Sequence, residues 1–225
     1  MAWLRSLFAP RREAWRRHGK ARFTNLFTKA PWLSLESASG PGSDRESACV
    51  AHAVEVLHAV TRDFGIRSIA DVPCGDFNWM DLFLAAHPGI DYVGYDIVDA
   101  LIAQNRARHP GRRFEVLDIT TQVPPPADLM FSKDLVNHLF ERDVWAALHN
   151  MAASGSRYLM ITSNTGEENS ELVLLTPRSS RHLDLAAWPY LLPEPIHADG
   201  YLSMWRTTDV AARLAAAADE GRTRP

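Results

Sequence analysis

The sequence predicts an α/β protein with a doubly wound, mostly parallel seven-stranded sheet and helices on both faces. Two observations predict this fold class. Short apolar, strand-like runs alternate with helical segments from residue 67 onward, and Gly or Pro residues separate many of them. The chain has 225 residues, of which 46% are hydrophobic, enough for the core of one such domain. Right-handed crossovers leave few other topologies for this order of elements.

The first part of the chain differs in charge from the rest. We divide it into a basic N-terminal extension, residues 1–38, and a main domain, residues 39–225. Residues 1–22 carry seven Arg or Lys and one Glu, with Trp, Leu and Phe among them. Such a segment is typical of a basic helix packed on the domain or of a frayed tail. A weak peripheral contact with anionic lipid through residues 1–22 is the alternative.

The main domain begins with a loop and a helix. The loop is Ser39-Gly-Pro-Gly-Ser43, and Ser43 with Glu46 matches a capping box, which predicts a helix over residues 44–63. Gly65 follows as a helix-ending residue. Beyond it, strands are predicted over residues 67–72, 92–96, 113–117, 128–132, 158–162 and 201–205. Helices are predicted over residues 78–87, 100–109, 141–153 and 208–220, and residues 164–182 form a long loop.

Acidic residues follow three successive predicted strands. Asp71, Asp96 and Asp118 stand at these ends, and Ser132-Lys-Asp134 ends the fourth strand. In open α/β sheets, ligands bind outside the carboxyl ends of the strands. Carboxylates gathered there would repel one another unless a polar ligand were hydrogen-bonded to them. The sequence therefore predicts a binding site at this edge of the sheet.

The spacing of the first two strand ends favours an adenosine ligand. Asp96 follows Gly75 by 21 residues, which is typical of an acid that accepts hydrogen bonds from a ribose diol. Pro73 stands where a dinucleotide-binding motif has glycine, and no glycine-rich cradle for a pyrophosphate is present. A cationic adenosine without phosphate, such as S-adenosylmethionine, fits better than a nicotinamide dinucleotide. A Rossmann-type oxidoreductase remains the alternative enzyme.

Residues 39–162 resemble the class I S-adenosylmethionine-dependent methyltransferases, which have a Rossmann-like fold. Residues 71–76, DVPCGD, resemble their first motif, although Pro73 and Phe77 replace two of its three usual glycines. Asp96 corresponds to the ribose-binding acid, and residues 135–139 resemble the segment after the fourth strand. Residues 39–43 and 71–80 look like those of a bacterial subgroup of these enzymes. The resemblance implies S-adenosyl-L-methionine as cofactor, with these residues binding it: Asp71, Pro73, Cys74, Gly75, Asp76, Asp96, Ile97, Asp118, Ile119, Ser132 and Lys133.

The resemblance also implies where the methyl acceptor reacts. Asp134 and His138 are the candidate catalytic residues, because a hydroxyl acceptor requires a general base. His138 is equally typical of a histidine bonded to backbone at a helix start. A carboxylate acceptor would need no base, and Lys133 could then orient it. We expect a small-molecule acceptor, such as a hydroxyl of a sugar or lipid-linked glycan, entering beside Trp188 and residues 193–195 under a lid formed by residues 39–43 and the loop after residue 164.

Charge and cysteine content limit the kinds of partner and cofactor that we expect for this protein. The net charge is −3, and it is −9 after residue 22, which argues against nucleic acid. The two cysteines, Cys49 and Cys74, form neither a zinc motif nor a disulfide framework, so we expect no metal and a cytoplasmic protein. The sequence leaves the oligomeric state open. A membrane-associated binding protein that has lost catalysis is the non-enzymatic alternative.

Overall fold

A computed structural model describes residues 19–28, 34–173 and 178–219, and within them seven strands form one sheet. The strands occur in the spatial order β3-β2-β1-β4-β5-β7-β6. β1 to β5 run parallel, whereas β7 is antiparallel to both β5 and β6, so the sheet is mixed. In chain order the strands are Ser68–Asp71, Asp91–Asp96, Arg113–Val116, Leu129–Ser132, Tyr158–Thr162, His197–Ala198 and Leu202–Arg206.

The helices cover both faces of the sheet, as the sequence predicted. In chain order, α1 to α6 are residues 19–28, Ala48–Phe64, Met80–Ala86, Asp99–Arg108, Glu141–Ala153 and Thr207–Asp219. Apolar side chains of α5 and α6, such as Leu148 and Leu214, pack in one buried cluster. Those of α2 and α3, such as Leu57 and Phe83, pack in the other. Burial of these two layers supplies most of the driving force for folding.

The order of the strands determines where a ligand can bind. β1 pairs with β2 on one side and with β4 on the other, so the chain direction across the sheet reverses at β1. Loops leaving β1 and β4 diverge to opposite faces at such a point and leave a crevice at the carboxyl ends.

The start of α2 differs from the predicted capping box. Residues Pro41–Ser43 form a 3₁₀ turn, and α2 begins only at Ala48. Ser47 is the N-cap, and its hydroxyl accepts a hydrogen bond from the Val50 amide. The capping box of Ser43 and Glu46 is therefore wrong, because the proline-containing turn holds Ser43 outside the helix. Gly65 ends the helix in the left-handed conformation, as predicted.

The segment between β5 and β6 contains neither helix nor strand in its described residues. Its backbone is nevertheless held by the buried Asp184 carboxylate, which accepts hydrogen bonds from the Gly166 and Ala186 amides. The two-residue strand β6 was not predicted, because so short a run leaves no periodic pattern. In the part of the chain that the structure describes, no helix is both long and apolar enough to cross a bilayer.

Candidate active site

A cavity opens at the carboxyl ends of β1 to β4, where the acidic residues were predicted to meet. The loops after these four strands all contribute to its wall. Of the residues singled out from the sequence, it is lined by Asp71, Pro73, Cys74, Gly75, Asp76, Asp96, Ile97, Asp118, Ile119, Lys133, Asp134 and His138. Ser132 is the exception and corrects the prediction. It is fully buried at the end of β4 and does not line the cavity. Its neighbours Phe131 and Lys133 do line the cavity, and successive side chains of a strand point to opposite faces, so Ser132 faces away from it.

Asp71 lies at the end of β1 with only 3% of its surface exposed. The Tyr92 hydroxyl donates to its carboxylate at 2.7 Å. Burial raises the pKa of Asp71 to about 8, and this hydrogen bond only partly offsets the effect. The group is therefore mostly protonated at neutral pH and would ionise beside a bound cation.

Asp96 ends β2 and is also buried. Burial raises its pKa to about 6, although backbone N–H groups, including that of Val98 at 3.0 Å, favour the charged form. Since β2 pairs with β3, Asp96 adjoins the apolar side chains of Ile97, Leu117 and Ile119 on the cavity wall. A fixed carboxylate beside an apolar wall suits a ribose joined to a flat base.

Asp118 combines a cavity position with a local structural role. One carboxylate oxygen accepts from the Thr120 amide at 3.0 Å and from the Thr120 hydroxyl at 2.6 Å. This is the side-chain turn that aspartate commonly forms at strand ends.

Cys74 is buried, and burial raises the pKa of its thiol well above the ordinary value. A thiol that stays protonated is a poor nucleophile, so Cys74 is better described as a small packing residue.

Asp76 holds a covering loop over the turn after β1. Its carboxylate accepts hydrogen bonds from the Ser37 and Ser39 hydroxyls and from the Ala38 amide, the last at 2.6 Å. Ser39 lies so close to Gly75 that a Cβ at Gly75 would come within 2.1 Å of the Ser39 oxygen. Gly75 also has a φ of +54°, so both space and backbone conformation require glycine there.

Phe77 occupies a position where the related motif has glycine, and its backbone keeps a glycine-like conformation. Its φ is +57°, in the left-handed region that a bulky residue rarely adopts. The ring is buried against Tyr92, His109 and Phe114, with centroids 4.8 to 5.3 Å apart. Aromatic packing thus offsets the backbone strain at this site.

Lys133 and Asp134 form an ion pair at the end of β4. The Lys133 ammonium donates to Asp134 at 2.6 Å and to the Gly42 carbonyl at 3.0 Å, and its side chain is 5% exposed. The Tyr201 hydroxyl lies 2.8 and 2.9 Å from the two Asp134 oxygens. Lys133 is therefore already engaged within the protein, which does not favour the expectation that it orients an acceptor anion.

His138 lines the cavity from the 3₁₀ turn Val136–His138. Its Nδ1 lies 3.1 Å from the carbonyl oxygen of Ser179. A carbonyl can only accept, so Nδ1 carries a proton and the lone pair of the neutral ring is on Nε2. Burial lowers the pKa of His138 below its ordinary value, so the neutral imidazole predominates at neutral pH.

The cavity includes residues that sequence reasoning missed. Phe23, Leu26 and Phe27 of α1 line it, and the Arg22 guanidinium donates to the His138 carbonyl at 2.7 Å. Their i, i+3, i+4 spacing is an amphipathic signal that was available in the sequence. Residues 1–18, which hold most of the segment predicted to contact lipid, lie outside the described residues.

The predicted entrance requires correction. Trp188 is 66% exposed, and neither it nor residues 193–195 line the cavity. The carbonyl of Pro193 instead accepts from the buried Trp205 indole at 2.7 Å, which holds this segment against the core on the α6 side. Of the predicted lid, Ser39 and Ser43 do line the cavity.

Comparison with solved structures identifies the fold. The chain is similar to LaPhzM, with a TM-score of 0.52 and 16% identity over 71% of this chain and 56% of that one. It is also similar to the apo form of the S-adenosylmethionine-dependent methyltransferase SibL, with a TM-score of 0.51 and 13% identity over 69% of this chain and 55% of that one. The fold is that of the class I methyltransferases. The resemblance seen in the sequence is confirmed at the level of the fold.

Two curated sequence relatives carry the name of a methyltransferase. The chain is 33% identical over 72 residues to a trans-aconitate 2-methyltransferase of Methylobacterium nodulans, covering 32% of this chain. It is 31% identical over 117 residues to the protein of the same name from Rhizobium meliloti, covering 49% of this chain. These matches span 28% and 44% of the two relatives, less than half of either. No protein-family model matches the chain.

Proposed function

We propose that this protein is an S-adenosylmethionine-dependent methyltransferase that acts on a small-molecule acceptor. One observation carries the proposal: Asp71, Asp96 and Asp118, from the ends of three adjacent strands, line a single cavity in a methyltransferase fold. The curated methyltransferase relatives support it. The same fold hosts many acceptors, so the argument for this chain rests on its own residues.

The residues present fit S-adenosylmethionine. Asp96 would bind the ribose hydroxyls, and the apolar wall of Ile97, Leu117 and Ile119 would contact the adenine. The buried carboxyl of Asp71 would gain from a nearby cationic group, since a positive charge favours its ionised form. The cofactor supplies an electrophilic methyl group on a sulfonium. The protein contributes chiefly orientation, which can account for roughly 7–11 kcal/mol of a barrier.

Of the two catalytic candidates, His138 is the better general base. The Asp134 carboxylate already accepts hydrogen bonds from the Lys133 ammonium and the Tyr201 hydroxyl, so its oxygens are engaged within the protein rather than directed at an acceptor. His138 lines the cavity as a neutral imidazole protonated on Nδ1, which is the protonation state that a general base requires. We assign Asp134 the role of holding Lys133 and the loop after β4.

Calorimetry of S-adenosylmethionine, S-adenosylhomocysteine and NAD tests the proposal. Wild type should bind the first two at micromolar concentrations and should not bind NAD. Asp96→Asn should weaken both by at least about tenfold, because a ribose diol loses a charged acceptor. Asp91→Asn is the matched control, since Asp91 is exposed at the opposite end of the same strand and should leave affinity unchanged.

Three results would count against this proposal. Binding of NAD without S-adenosylhomocysteine would favour the Rossmann-type oxidoreductase. Equal affinity in wild type and Asp96→Asn would mean that the cavity does not hold the nucleoside as proposed. Binding without turnover of any acceptor would favour the binding protein that has lost catalysis.

A further inference from the structure

One part of the cavity is walled by apolar side chains. It lies where α1 meets the loop after β4, the two being joined by the hydrogen bond from Arg22 to the His138 carbonyl. We call this part the acceptor compartment, and its apolar residues are Phe23, Leu26, Phe27, Leu135 and Leu139. His138, the proposed base, belongs to the 3₁₀ turn Val136–His138, which Leu135 and Leu139 flank.

Within the described residues 19–28, 34–173 and 178–219, the cavity wall presents no uncommitted Lys or Arg to an acidic ligand. Among the described residues that line it, Lys133 is the only Lys or Arg. Its ammonium is buried and already donates to Asp134 and to the Gly42 carbonyl. Five aspartates of the described chain line the same cavity: Asp71, Asp76, Asp96, Asp118 and Asp134.

Two arginines lie just behind the compartment but are directed at the backbone. Arg22 donates to the His138 carbonyl at 2.7 Å, and Arg181 donates to the Leu139 carbonyl at 2.5 Å. Neither lines the cavity. Burial lowers the pKa of His138, and the positive charges of these two arginines act in the same direction.

We propose that the acceptor is a neutral or cationic molecule with an apolar body, and not a carboxylate. The inference rests on the proposed function and narrows its substrate class. A carboxylate would lose its hydration in the acceptor compartment without gaining a cation from the residues that the structure describes there, whereas an apolar body gains from burial. The acceptor class therefore differs from trans-aconitate, the tricarboxylate named for the curated relatives, whose matched segments cover less than half of their length.

A matched set of probes tests this class. 3-Phenylpropan-1-ol, 3-phenylpropylamine and 3-phenylpropanoate share one apolar skeleton and differ in charge. They are titrated, together with trans-aconitate, into the protein saturated with S-adenosylhomocysteine. The alcohol and the amine should bind at least about tenfold more tightly than the carboxylate, and trans-aconitate should bind most weakly.

Two variants test whether the alcohol binds in the acceptor compartment. Phe27→Ala should weaken the alcohol by about tenfold, because the ring forms part of the compartment. Phe64→Ala, the same change at a half-buried phenylalanine that packs on Tyr158 and does not line the cavity, should leave it unchanged.

The outcomes separate the two proposals. If S-adenosylhomocysteine does not bind, the proposed function itself fails. If it binds and the carboxylate or trans-aconitate binds as tightly as the alcohol, the acceptor class is overturned. The acceptor class is also overturned if neither the alcohol nor the amine binds at millimolar concentration. It is overturned as well if Phe27→Ala and Phe64→Ala bind the alcohol equally well.

Discussion

The Tyr201 hydroxyl donates to the Asp134 carboxylate, with its oxygen 2.8 and 2.9 Å from the two carboxylate oxygens. This contact joins the turn before β7 to the loop after β4, across 67 positions of the chain. Burial, followed by the Asp134 charge, raises the pKa of Tyr201, so the phenol remains a donor at every physiological pH.

Tyr201→Phe should lower the free energy of unfolding by about 1–2 kcal/mol, because a partly buried carboxylate loses a donor. Affinity for S-adenosylhomocysteine should not change, since Tyr201 does not line the cavity. Urea denaturation and calorimetry measure the two effects. Tyr158→Phe removes a hydroxyl remote from Asp134 and is the control; an equal loss in both variants would contradict a specific role for this contact.

Asp71 should make the ligand-free protein less stable as pH rises. Its folded pKa of about 8 lies above its ordinary value of 3.8, so folding favours the protonated acid. Its contribution to stability is complete below pH 4 and declines until pH passes 8, by roughly 1.4 kcal/mol per unit. Asp96, whose pKa in the folded protein is about 6, adds to this loss of stability mainly in the lower part of the same pH range.

Asp71→Asn should therefore remove most of the decline in unfolding free energy between pH 6 and pH 8. Urea denaturation at these two values measures it. Asp91→Asn, exposed at the start of β2, should retain the decline. Identical pH dependence in wild type and Asp71→Asn would show that the carboxyl is already ionised at pH 6.

His138 should titrate below its ordinary value of 6.5, because burial disfavours the imidazolium. Folding favours the neutral ring, so its contribution to stability is present above pH 6.5 and lost as pH falls through the lowered pKa. The ring Cε1–H resonance, assigned by its disappearance in His138→Gln, measures the midpoint by NMR. A midpoint above 6.5 would remove the argument that His138 is the neutral base.

Arg22→Gln should loosen α1 from the cavity. The guanidinium links this helix to the His138 carbonyl, and the uncharged amide is too short to replace it. Amide hydrogen exchange within residues 19–28 should accelerate by about tenfold, and S-adenosylhomocysteine should dissociate faster. Lys20→Gln is the control, since the Lys20–Asp99 pair is exposed and contributes less than about 1 kcal/mol. Equal exchange in the two variants would mean that apolar contacts alone hold α1.

Gly75→Ala should destabilise the covering loop. The new Cβ would meet the Ser39 hydroxyl at 2.1 Å, and alanine disfavours a φ of +54°. We expect a loss of about 1–3 kcal/mol in unfolding free energy, partly restored by adding Ser39→Gly. Gly89→Ala, with nothing within 4 Å of its Cβ position, should change stability little. A neutral Gly75→Ala would show that residues 37–39 move without cost.

The sequence predicted the sheet, its helices and the gathering of acids, because these depend on local pattern. Apolar runs locate strands, and the carboxyl ends of parallel strands meet at one edge, so Asp71, Asp96 and Asp118 were expected together. The predicted start of α2 was wrong, and the reason is again local. Ser43 and Ser47 both precede helix-forming residues, and only the 3₁₀ turn of Pro41–Ser43 decides between them.

The sequence by itself determined the fold class and the acidic residues at the strand ends that line the cavity, since strand periodicity and chain order specify both. Tertiary structure alone decided what those residues can do. The pKa of Asp71 depends on burial, the tautomer of His138 depends on Ser179, and the engagement of Lys133 depends on Asp134 and Gly42. Protonation and hydrogen bonding depend on distance and solvent exclusion between residues far apart in the chain, and local sequence patterns do not encode either.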